Sequence, residues 1–496
     1  MSHKSPNERI LFGLKVKQLR QQQQLNFAEL GKKTGLSVSY LNEIEKGKKY
    51  PRPEKMALLA SALGVTEEAL CQGWPDKTLT PVSALLQSNF LNELPLDLFG
   101  MELQKVAELI ASSPAKVGAF ISTLIELSRN YTQTEEHFYF GALRAYLELH
   151  NNYFEDLEAA AENFLKENKL PAGRLISPGS LAELLERRFG YQIVNDGLDQ
   201  YPELSGIRAV FIPAKRRLLL NSHLSDTQKS FQLGKEIGFN YLQLCERANT
   251  AKLLRAHSFE EALSHFKAGY FSAALLLNRN AFKADLEKWF RQTAWNNGSY
   301  IFQLMEQYQA SPEMLLQRMT NLLPAFFGLE KLFILRFIHT PAPEGDRFKI
   351  DKELRLQRGN EPAFHTLHEH YCRRWQSISL LQQLQQLHPR PELMVRAQRA
   401  VFVESGEEYL CITIVSPGYP SPEHNVSLTI GILVNEELRK KVLFWEDPAI
   451  EIRAVNVTCE RCPLNNCAER AAAPTVVEAR ERRRRLQQLL REIEAL

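Results

Sequence analysis

The stretch LNFAELGKKTGLSVSYLNEIEKGKKYPRPEKMALLASALGV, residues 25–65, decides the fold of the first part of the chain. Gly35 separates two short segments with helical apolar spacing, because glycine tolerates the left-handed backbone that a tight turn between helices needs. Ser37 supplies an oxygen that can cap the second helix, and Leu41 and Ile44 form its apolar face at i, i+3 spacing. The pattern therefore predicts a helix, a tight turn and a second short helix.

The outer face of this second helix is polar, and a basic loop follows it at once. The face comprises Val38, Ser39, Tyr40, Asn42 and Glu43, and the loop carries Lys46, Lys48, Lys49 and Arg52. Such a helix fits the major groove of DNA, about 12 Å wide, where polar side chains meet base edges. A lysine-rich loop alone is equally typical of a solvated surface, but behind this helix it favours phosphate contacts. We predict that Ser37 and these residues bind DNA, with Tyr40 and Asn42 at bases and Lys48 and Lys49 at phosphates.

The same stretch resembles the phage-repressor-like (Xre-type) helix-turn-helix family over its whole length, including the IEKG and YPRPE segments. The resemblance implies a five-helix, lambda-repressor-like DNA-binding domain, which we place at residues 1–72. Phe27 stands where many members carry a glutamine that caps the first helix of this pair, which is the second helix of the domain, and contacts phosphate. That contact is expected to be missing or to come from Asn26 or Gln24.

Length and composition predict several globular domains in a cytoplasmic, nucleoid-associated bacterial protein. A chain of 496 residues exceeds what one core usually organises, so we expect about three domains. No apolar run reaches the roughly 18–20 residues of a membrane helix, and the polar N-terminus does not resemble a signal peptide. Residues 1–60 carry 12 Lys or Arg and 5 Asp or Glu, which places the basic excess where we expect DNA.

Residues 73–168 carry apolar side chains at helical spacing, which predicts a helical connector. Helices that join a small DNA-binding head to a larger body often form a dimer interface, because a two-fold protein matches a palindromic operator. Packing within one chain explains the same spacing equally well. The expected homodimer therefore depends mainly on operator geometry.

Residues 169–330 have a mixed pattern, which predicts an α+β domain. LAELLERRFGYQIV is typical of a helix and then a strand, GIRAVFIPAKRRLLLNSHL of a hairpin, and SDTQKSFQLGKEIGFNYLQL of a helix that begins after an Asp226 cap. This order, together with FKAGYFSAALLLNRNAF, resembles the ImmA/IrrE family of zinc metallopeptidases. The resemblance implies an IrrE-like domain in the centre of the chain.

The catalytic motif of that family is altered here. Active members carry H-E-x-x-H, in which two histidines on one helix face bind zinc and the glutamate is the general base. The corresponding stretch here is Lys235, Glu236, Ile237, Gly238 and Phe239, and Lys267 stands where the family places its acidic third ligand. A protonated lysine repels a dication and phenylalanine offers no donor atom. The resemblance therefore implies a non-catalytic scaffold without catalytic zinc, in which Glu236 is a structural or solvent-exposed residue.

Residues 331–475 combine strand-rich runs with a cysteine cluster. KLFILRFI, EYLCITIVS and NVSLTIGILV predict an α+β ligand-binding or sensor module. Cys459, Cys462 and Cys467 follow C-x2-C-x4-C, a spacing that suits zinc or an iron-sulfur cluster without separating the two, with free thiols as the alternative. Cys372 is our first candidate for a fourth ligand and Cys411 the second. The histidines nearby are less favoured: His365, His368 and His370.

With this module, nearly the whole chain resembles the short-chain fatty acyl transcriptional regulator family, in which an Xre-type head, an IrrE-like domain and a C-x2-C-x4-C module occur in this order. NNYFEDLE, AGYFSAALLL and CERCPLNNCAERA carry the match. The resemblance implies a regulator of acetate, propionate or related acyl metabolism with an acyl-CoA effector. Family members often show a further cysteine after the strand that here ends at Val434.

The last segment, residues 476–496, is predicted to be a basic amphipathic helix. Arg482–Arg485 form a basic block, and one apolar stripe comprises Leu486, Leu489, Leu490, Ile493 and Leu496. Packing or dimerisation is the plain interpretation, and an auxiliary DNA contact is the alternative.

The sequence thus predicts a multidomain, mainly α protein with α+β parts that regulates transcription. A zinc metallopeptidase that cleaves a repressor is the enzymatic alternative, and Lys235 and Phe239 argue against it. An antitoxin-like interaction protein is the third possibility, and it would need a toxin partner that binds the central domain.

Overall fold

The structure, a computed structural model, describes residues 6–71, 135–173, 176–250, 256–341, 346–356, 369–389, 391–418 and 424–494. The chain forms two compact units. The first comprises Met1–Tyr146 and Ala256–Glu260, and the second comprises Leu147–Arg255 and Glu261–Leu496. Most of the predicted connector, residues 73–134, lies outside the described residues. The predicted sensor region, and the predicted IrrE-like region apart from Ala256–Glu260, fall in the second unit.

The first unit begins with the five helices that the sequence predicts. They are α1 (Pro6–Gln22), α2 (Phe27–Thr34), α3 (Val38–Glu45), α4 (Pro53–Leu63) and α5 (Glu67–Cys71). Their shared core includes Val16, Leu30, Leu41, Ile44 and Leu59, all of which are fully buried. The helical head is confirmed, and so are the α+β regions that follow it.

Short-range hydrogen bonds set the turn between α2 and α3. The Asn26 carboxamide oxygen accepts the Glu29 N–H at 2.9 Å, and the Glu29 carboxylate accepts the Asn26 N–H at 2.7 Å. This capping box satisfies two N–H groups that a helix start leaves open. Gly35 ends α2 with a φ of 69°, and the Ser37 hydroxyl caps α3 by accepting the Tyr40 N–H at 3.2 Å. The predicted cap and glycine turn are therefore present.

The second unit contains a helical layer and a small mixed sheet. Its strands are β1 (Gln192–Val194), β2 (Ala209–Ile212) and β3 (Arg217–Leu220), in the order β1-β3-β2. The pair β2–β3 is the predicted hairpin, and β1 runs parallel to β3. The helices that follow α5 along the chain are α6 (Glu135–Leu149), most of which belongs to the first unit, and then α7 (Glu155–Glu167), α8 (Pro178–Phe189), α9 (Asp226–Tyr241), α10 (Phe259–Leu276), α11 (Arg279–Phe290), α12 (Ser299–Tyr308) and α13 (Pro312–Phe327).

The predicted cap of α9 is wrong by one residue. Asp226 is the first helical residue, and the cap is Ser225, whose hydroxyl accepts the Gln228 N–H at 3.3 Å. Gln228 in turn accepts the Ser225 N–H at 3.2 Å. A glutamine three residues after a serine closes a capping box, and the aspartate cannot do so from its position.

A six-stranded sheet dominates the C-terminal part of the second unit. Its strands are β4 (Leu332–Thr340), β5 (Arg347–Leu356), β6 (Met394–Phe402), β7 (Glu408–Pro417), β8 (Asn425–Leu433) and β9 (Glu451–Val455). Their order is β5-β4-β8-β7-β6-β9, with only the edge pair β6–β9 parallel. The described helices in this part of the chain are α14 (Gln376–Gln386), α15 (Glu436–Lys441) and α16 (Thr475–Glu494).

The two faces of this sheet pack against different helices. Phe333, Leu335 and other alternate residues share a buried cluster with the apolar side of α14. Lys352, on the opposite face, binds the Glu313 carboxylate of α13 at 2.8 Å. Side chains alternate between faces along a strand, so α13 and α14 lie on opposite sides of the sheet.

The helical layer and the large sheet share one interior. Trp289, on α11, stacks with Phe444 at 5.3 Å between ring centroids. The backbone N–H of Trp295 donates to the Asp447 carboxylate at 2.6 Å. The helical layer is therefore packed against the segment that leads into the last strand of the large sheet.

One ion pair in the helical layer is fully buried. Arg318 on α13 donates to both oxygens of the Glu158 carboxylate on α7, at 2.5 and 2.8 Å. The Arg318 Nε donates to the Leu277 carbonyl at 3.0 Å, and the Tyr270 hydroxyl donates to Glu158 at 2.7 Å. These contacts connect α7, α10 and α13 at one point.

Among the described helices, none is long and apolar enough to cross a membrane.

Gly431 lies in β8 where the strand packs closely against the Phe333 ring. A methyl group there would lie 2.2 Å from the Phe333 ring. We expect Gly431→Ala to lower the free energy of unfolding by about 1–3 kcal/mol, as other overpacked cores do, in urea titrations followed by fluorescence. Gly206→Ala is the matched control, because a methyl group there meets nothing within 4 Å. Equal stability of the two variants would contradict the packing described here.

Candidate nucleic-acid interface and peptidase-like site

The predicted DNA-binding residues of α3 and its loop lie on the outer side of the helical head. Leu41 and Ile44 point inward and are fully buried, and Glu45 is buried as well, so the outward side of α3 is formed by its other residues. Val38 has 48% of its surface exposed, and Ser37 and Ser39 are exposed. The half-buried members of the predicted face are Tyr40, Asn42 and Glu43, and the exposed members of the loop are Lys46, Lys48, Lys49 and Arg52.

Glu43 organises the basic loop. Its backbone carbonyl accepts the N–H groups of Lys48 and Lys49 at 2.9 and 3.2 Å, and its carboxylate binds the Lys49 ammonium at 2.7 Å. The hydrogen bond to Glu43 raises the pKa of Lys49 above its ordinary value. The Glu43 carboxylate thus balances part of the Lys49 charge. The neighbouring Lys48 is exposed.

Tyr40 is more enclosed than the sequence predicts. Its ring packs against the core of the head, and the Lys55 ammonium lies 4.2 Å from the ring centroid. A base contact by Tyr40 therefore has to use the part of the side chain that remains exposed. Lys55 is a cation that the sequence analysis missed, because only the packing of α4 against α3 brings it here.

Phe27 has a packing role in place of the glutamine common in the family. The Arg20 guanidinium lies 4.2 Å from the Phe27 ring centroid and donates to both Glu45 carboxylate oxygens, at 2.6 and 2.9 Å. The hydrogen bond to Glu45 raises the pKa of Arg20. The carboxamide oxygen of Asn26 accepts the hydrogen bond that caps α2. Gln24 is exposed at the turn before α2, where its φ is 55°.

The altered catalytic motif lies on α9 in the interior of the second unit. Lys235, in the place of the first histidine, is 7% exposed, and its ammonium nitrogen lies 3.0 Å from the His265 Nδ1. The His265 Nε2 accepts the Ala248 N–H at 3.1 Å. A neutral imidazole has one acceptor nitrogen, so a charged Lys235 and the Ala248 N–H compete for it.

Burial acts on both partners in the same direction. It lowers the pKa of Lys235 to about 8, and burial and the neighbouring Lys235 and Arg247 charges lower the pKa of His265 to about 3. His265 is therefore neutral near pH 7. The sequence analysis placed Lys267 at the third-ligand position, whereas the structure places His265 of the same helix against Lys235, and Lys267 is half-buried.

Glu236, the one retained residue of the motif, is engaged in a buried ion pair. Arg247 donates to both of its carboxylate oxygens at 2.8 Å, and the Tyr191 hydroxyl donates to it at 2.9 Å. Phe239, in the place of the second histidine, lies under the Arg247 guanidinium, 3.9 Å from ring centroid to carbon. Glu236 is 6% exposed, so of the two roles that we predicted for it the structural one applies.

A short backbone pairing brings Cys372 to the C-terminal cysteines. Cys372 N–H donates to the Val457 carbonyl at 3.3 Å, and Cys459 N–H donates to the His370 carbonyl at 2.8 Å. Cys372, Cys459 and Cys462 are each 5% exposed. Burial, followed by the charges of Cys459 and Cys462, raises the pKa of Cys372.

The cysteine loop is held by its own side chains and backbone. Arg470 donates to the carbonyls of Cys459 and Cys462 at 2.8 and 3.0 Å, and the Ala471 N–H donates to the Cys459 sulfur at 3.3 Å. Cys467 is half-buried. Within the described residues, no group of three or more His, Cys, Asp or Glu side chains is arranged to hold a metal ion. Thiol chemistry suits zinc or iron, but the positions of these thiols do not form a ligand set.

The remaining described candidates, Cys411 and His370, have other surroundings or partners. Cys411 is buried in the core of the large sheet, where burial raises the pKa of its thiol. His370 binds the Glu460 carboxylate at 2.7 Å through Nδ1. His365 and His368 lie outside the described residues.

Two protein families match separate parts of the chain. The helix-turn-helix family matches residues 16–70, and the IrrE N-terminal-like domain matches residues 193–320. The first match contains the whole of α2, α3 and α4, and the second contains Lys235, Glu236 and His265.

The chain is also similar to characterised proteins of Mycobacterium tuberculosis. It is 24% identical to the HTH-type transcriptional regulator PrpR over 238 residues, 46% of this chain and 48% of PrpR. It is 26% identical to the HTH-type transcriptional regulator RamB over 349 residues, 65% of this chain and 67% of RamB. The match thus spans about half of PrpR and two thirds of RamB.

A solved structure of a Mycobacterium tuberculosis transcriptional regulator superposes with a TM-score of 0.46 at 19% identity, covering 67% of this chain and 93% of that one. The helix-turn-helix domain and the IrrE-like domain are identified by the two family matches and not by this superposition. The chain therefore combines an Xre-type helix-turn-helix domain at its start with an IrrE N-terminal-like domain in its centre.

Proposed function

We propose that this protein is a sequence-specific, DNA-binding transcription regulator that acts on the bacterial nucleoid in the cytoplasm. The observation that carries the proposal is the exposed polar face of α3, capped at Ser37 and followed by exposed cations. The similar proteins named above are HTH-type transcriptional regulators. A capped helix with this face, seated in the major groove, accounts for both sequence recognition and affinity.

The contacts divide by chemistry. Ser39 and Asn42 present a hydroxyl and a carboxamide that can hydrogen-bond to base edges. Lys46, Lys48 and Arg52 contribute charge at the phosphates, which adds affinity for every sequence. Glu43 holds Lys49 in the loop, so Lys48 is the stronger phosphate ligand of the pair.

We further propose that the regulated genes serve acetate- or propionate-type acyl metabolism and that an acyl-CoA-like effector controls DNA affinity. The support is the resemblance to the short-chain fatty acyl regulator family across the head, the central domain and the cysteine module. The effector would act on a homodimer by favouring a DNA-competent or a DNA-incompetent arrangement.

The IrrE-like domain acts in this proposal as a non-catalytic scaffold. Lys235 and Arg247 place positive charge where an active relative would bind a zinc dication. Phe239 offers no donor atom, and Glu236 is tied to Arg247 and Tyr191 and does not face an open site. These features disfavour the metallopeptidase alternative.

We propose that zinc or an iron-sulfur cluster, when it binds, draws together Cys459, Cys462, Cys467 and Cys372, whose described positions do not form a ligand set by themselves. The support is the C-x2-C-x4-C spacing and the approach of buried Cys372 to the first pair. When bound, such a group would brace the loop against the strand that precedes it. The residues that orient the loop are Arg470 and Ala471.

DNA recognition can be tested by selecting duplexes from a random pool with the full chain and titrating the selected duplex across salt concentrations. We expect Lys48→Ala to weaken binding to selected and scrambled duplexes alike and to reduce the slope of log K against log salt by about 0.9. Asn42→Ala should instead lower discrimination at one base pair by about 1–3 kcal/mol.

Lys166→Ala is the control for this experiment, because Lys166 is an exposed lysine outside the helix-turn-helix domain. It should leave both affinity and salt slope unchanged. Absence of any enriched sequence at low salt would overturn the regulator proposal.

The scaffold role predicts that Glu236→Gln affects stability and not hydrolysis. The substitution leaves Arg247 buried without its counter-charge, so we expect a loss of about 3 kcal/mol in urea unfolding. The control is Glu183→Gln, whose carboxylate and Arg187 partner are 73% and 70% exposed, with a change below about 0.5 kcal/mol. Zinc-dependent casein hydrolysis by the wild type that is abolished in Glu236→Gln would contradict the scaffold role.

The cysteine module is tested by elemental analysis and absorption spectra of protein purified without oxygen. We expect zinc or iron in the wild type and a markedly lower metal content in Cys372→Ser, because the substitution removes one thiolate. Cys245→Ser is the control, since Cys245 is an exposed thiol in another part of the chain. Metal-free wild type, or equal metal in the two variants, would refute the ligand set.

A further inference from the structure

The C-terminal helix α16 carries an apolar stripe that the described structure leaves uncovered. The helix is 20 residues long and has no buried residue. Leu486, Leu489, Leu490 and Ile493 are 56%, 46%, 58% and 64% exposed. Their spacing of i, i+3, i+4 and i+7 places them on one side of the helix. Leu496, the predicted fifth member, lies outside the described residues.

Among the contacts between described residues, those that attach α16 to the rest of the second unit lie at its start. The N–H groups of Val476 and Val477 donate to the Glu460 carbonyl at 3.1 and 3.3 Å, and Arg480 binds the Glu404 carboxylate at 2.7 Å. The apolar stripe lies beyond these contacts, in the last two and a half turns. A contiguous exposed apolar stripe on a described helix is typical of an interaction surface.

Charges flank the stripe in a pattern that selects its partner. At about 100° per residue, Arg483 and Glu494 lie on one flank of the stripe, and Arg485 and Glu492 lie on the other. Each flank therefore carries a cation near the start of the stripe and an anion near its end. The arrangement is self-complementary when the helix direction is reversed.

We propose that α16 pairs in antiparallel fashion with α16 of a second copy of this chain. A two-fold axis across two antiparallel helices keeps each flank on its own side, so that Arg483 faces Glu494 of the other copy and Arg485 faces Glu492. The same register interleaves Leu486 of one copy with Leu490 and Ile493 of the other, as in antiparallel helical packing. The pairing deepens the proposed homodimer, because it names the surface that joins the two copies.

A parallel pairing is disfavoured by the same charges. It would place the Arg482–Arg485 block of one copy against the identical block of the other. Like charges within a few ångströms repel, and the glutamates at the far end would repel as well. Isologous antiparallel pairing turns both repulsions into attractions.

Charge reversal of the full chain, measured by sedimentation equilibrium without DNA, tests this pairing. The variant Arg483→Glu with Arg485→Glu and the variant Glu492→Arg with Glu494→Arg should each weaken self-association by about tenfold or more, because like charges then meet on both flanks. The variant with all four substitutions should return to within about threefold of the wild type, since the complementary pattern is restored with opposite signs.

The matched control is Arg484→Glu with Arg491→Glu, which changes the charge equally on the far side of the helix. It should leave self-association unchanged, and circular dichroism should show the same helix content in all variants. Unchanged association in the flank variants, or failure of the four-residue variant to recover, would overturn the antiparallel pairing.

Substitution of the stripe separates this pairing from the broader proposals. Leu486→Asp with Leu490→Asp should produce monomers that still bind a single half-site duplex in fluorescence anisotropy. If this variant stays dimeric, α16 is not the interface, although the homodimer itself survives. A monomeric wild type, or stripe variants that lose thermal stability without any change in association, would also overturn the pairing and leave DNA binding to be judged separately.

Discussion

The buried pair between Glu158 and Arg318 is the constraint on which the second unit depends. Both side chains are almost completely removed from water, so their charges are tolerable only because each is fully engaged by the other and by Tyr270 and the Leu277 carbonyl. The geometry leaves little freedom in how α7, α10 and α13 meet. The same helix α13 also contacts the large sheet, where Glu313 binds Lys352.

The peptidase-like site is formed on this fixed frame, and its electrostatics are inverted relative to a metal site. A zinc site collects donors and anions around an external dication. Here Lys235 and Arg247 supply the positive charge from within the chain, and Glu236 and His265 are consumed in satisfying them. The interior of this domain therefore carries its own positive charge beside Glu236.

In the helix-turn-helix head, the ends of α2 and α3 are set by residues that are close together in the sequence. Asn26 with Glu29, and Ser37 with the Tyr40 N–H, set the ends of two helices without any distant partner. Glu43 then shapes the loop that follows. Short-range determination of this kind gives a small domain a rigid recognition surface, which sequence-specific binding requires.

The sequence by itself determined the five-helix head, the hairpin and the exposed residues of α3, because caps, glycine turns and residue chemistry act over a few residues. Only the tertiary structure decided that His265 and not Lys267 meets Lys235, that Lys55 covers Tyr40, and that Cys372 approaches Cys459. Each of these contacts joins residues distant in the chain, and their meeting depends on how whole helices and strands pack. Periodicity states which side of an element is apolar, but it does not state what that side will touch.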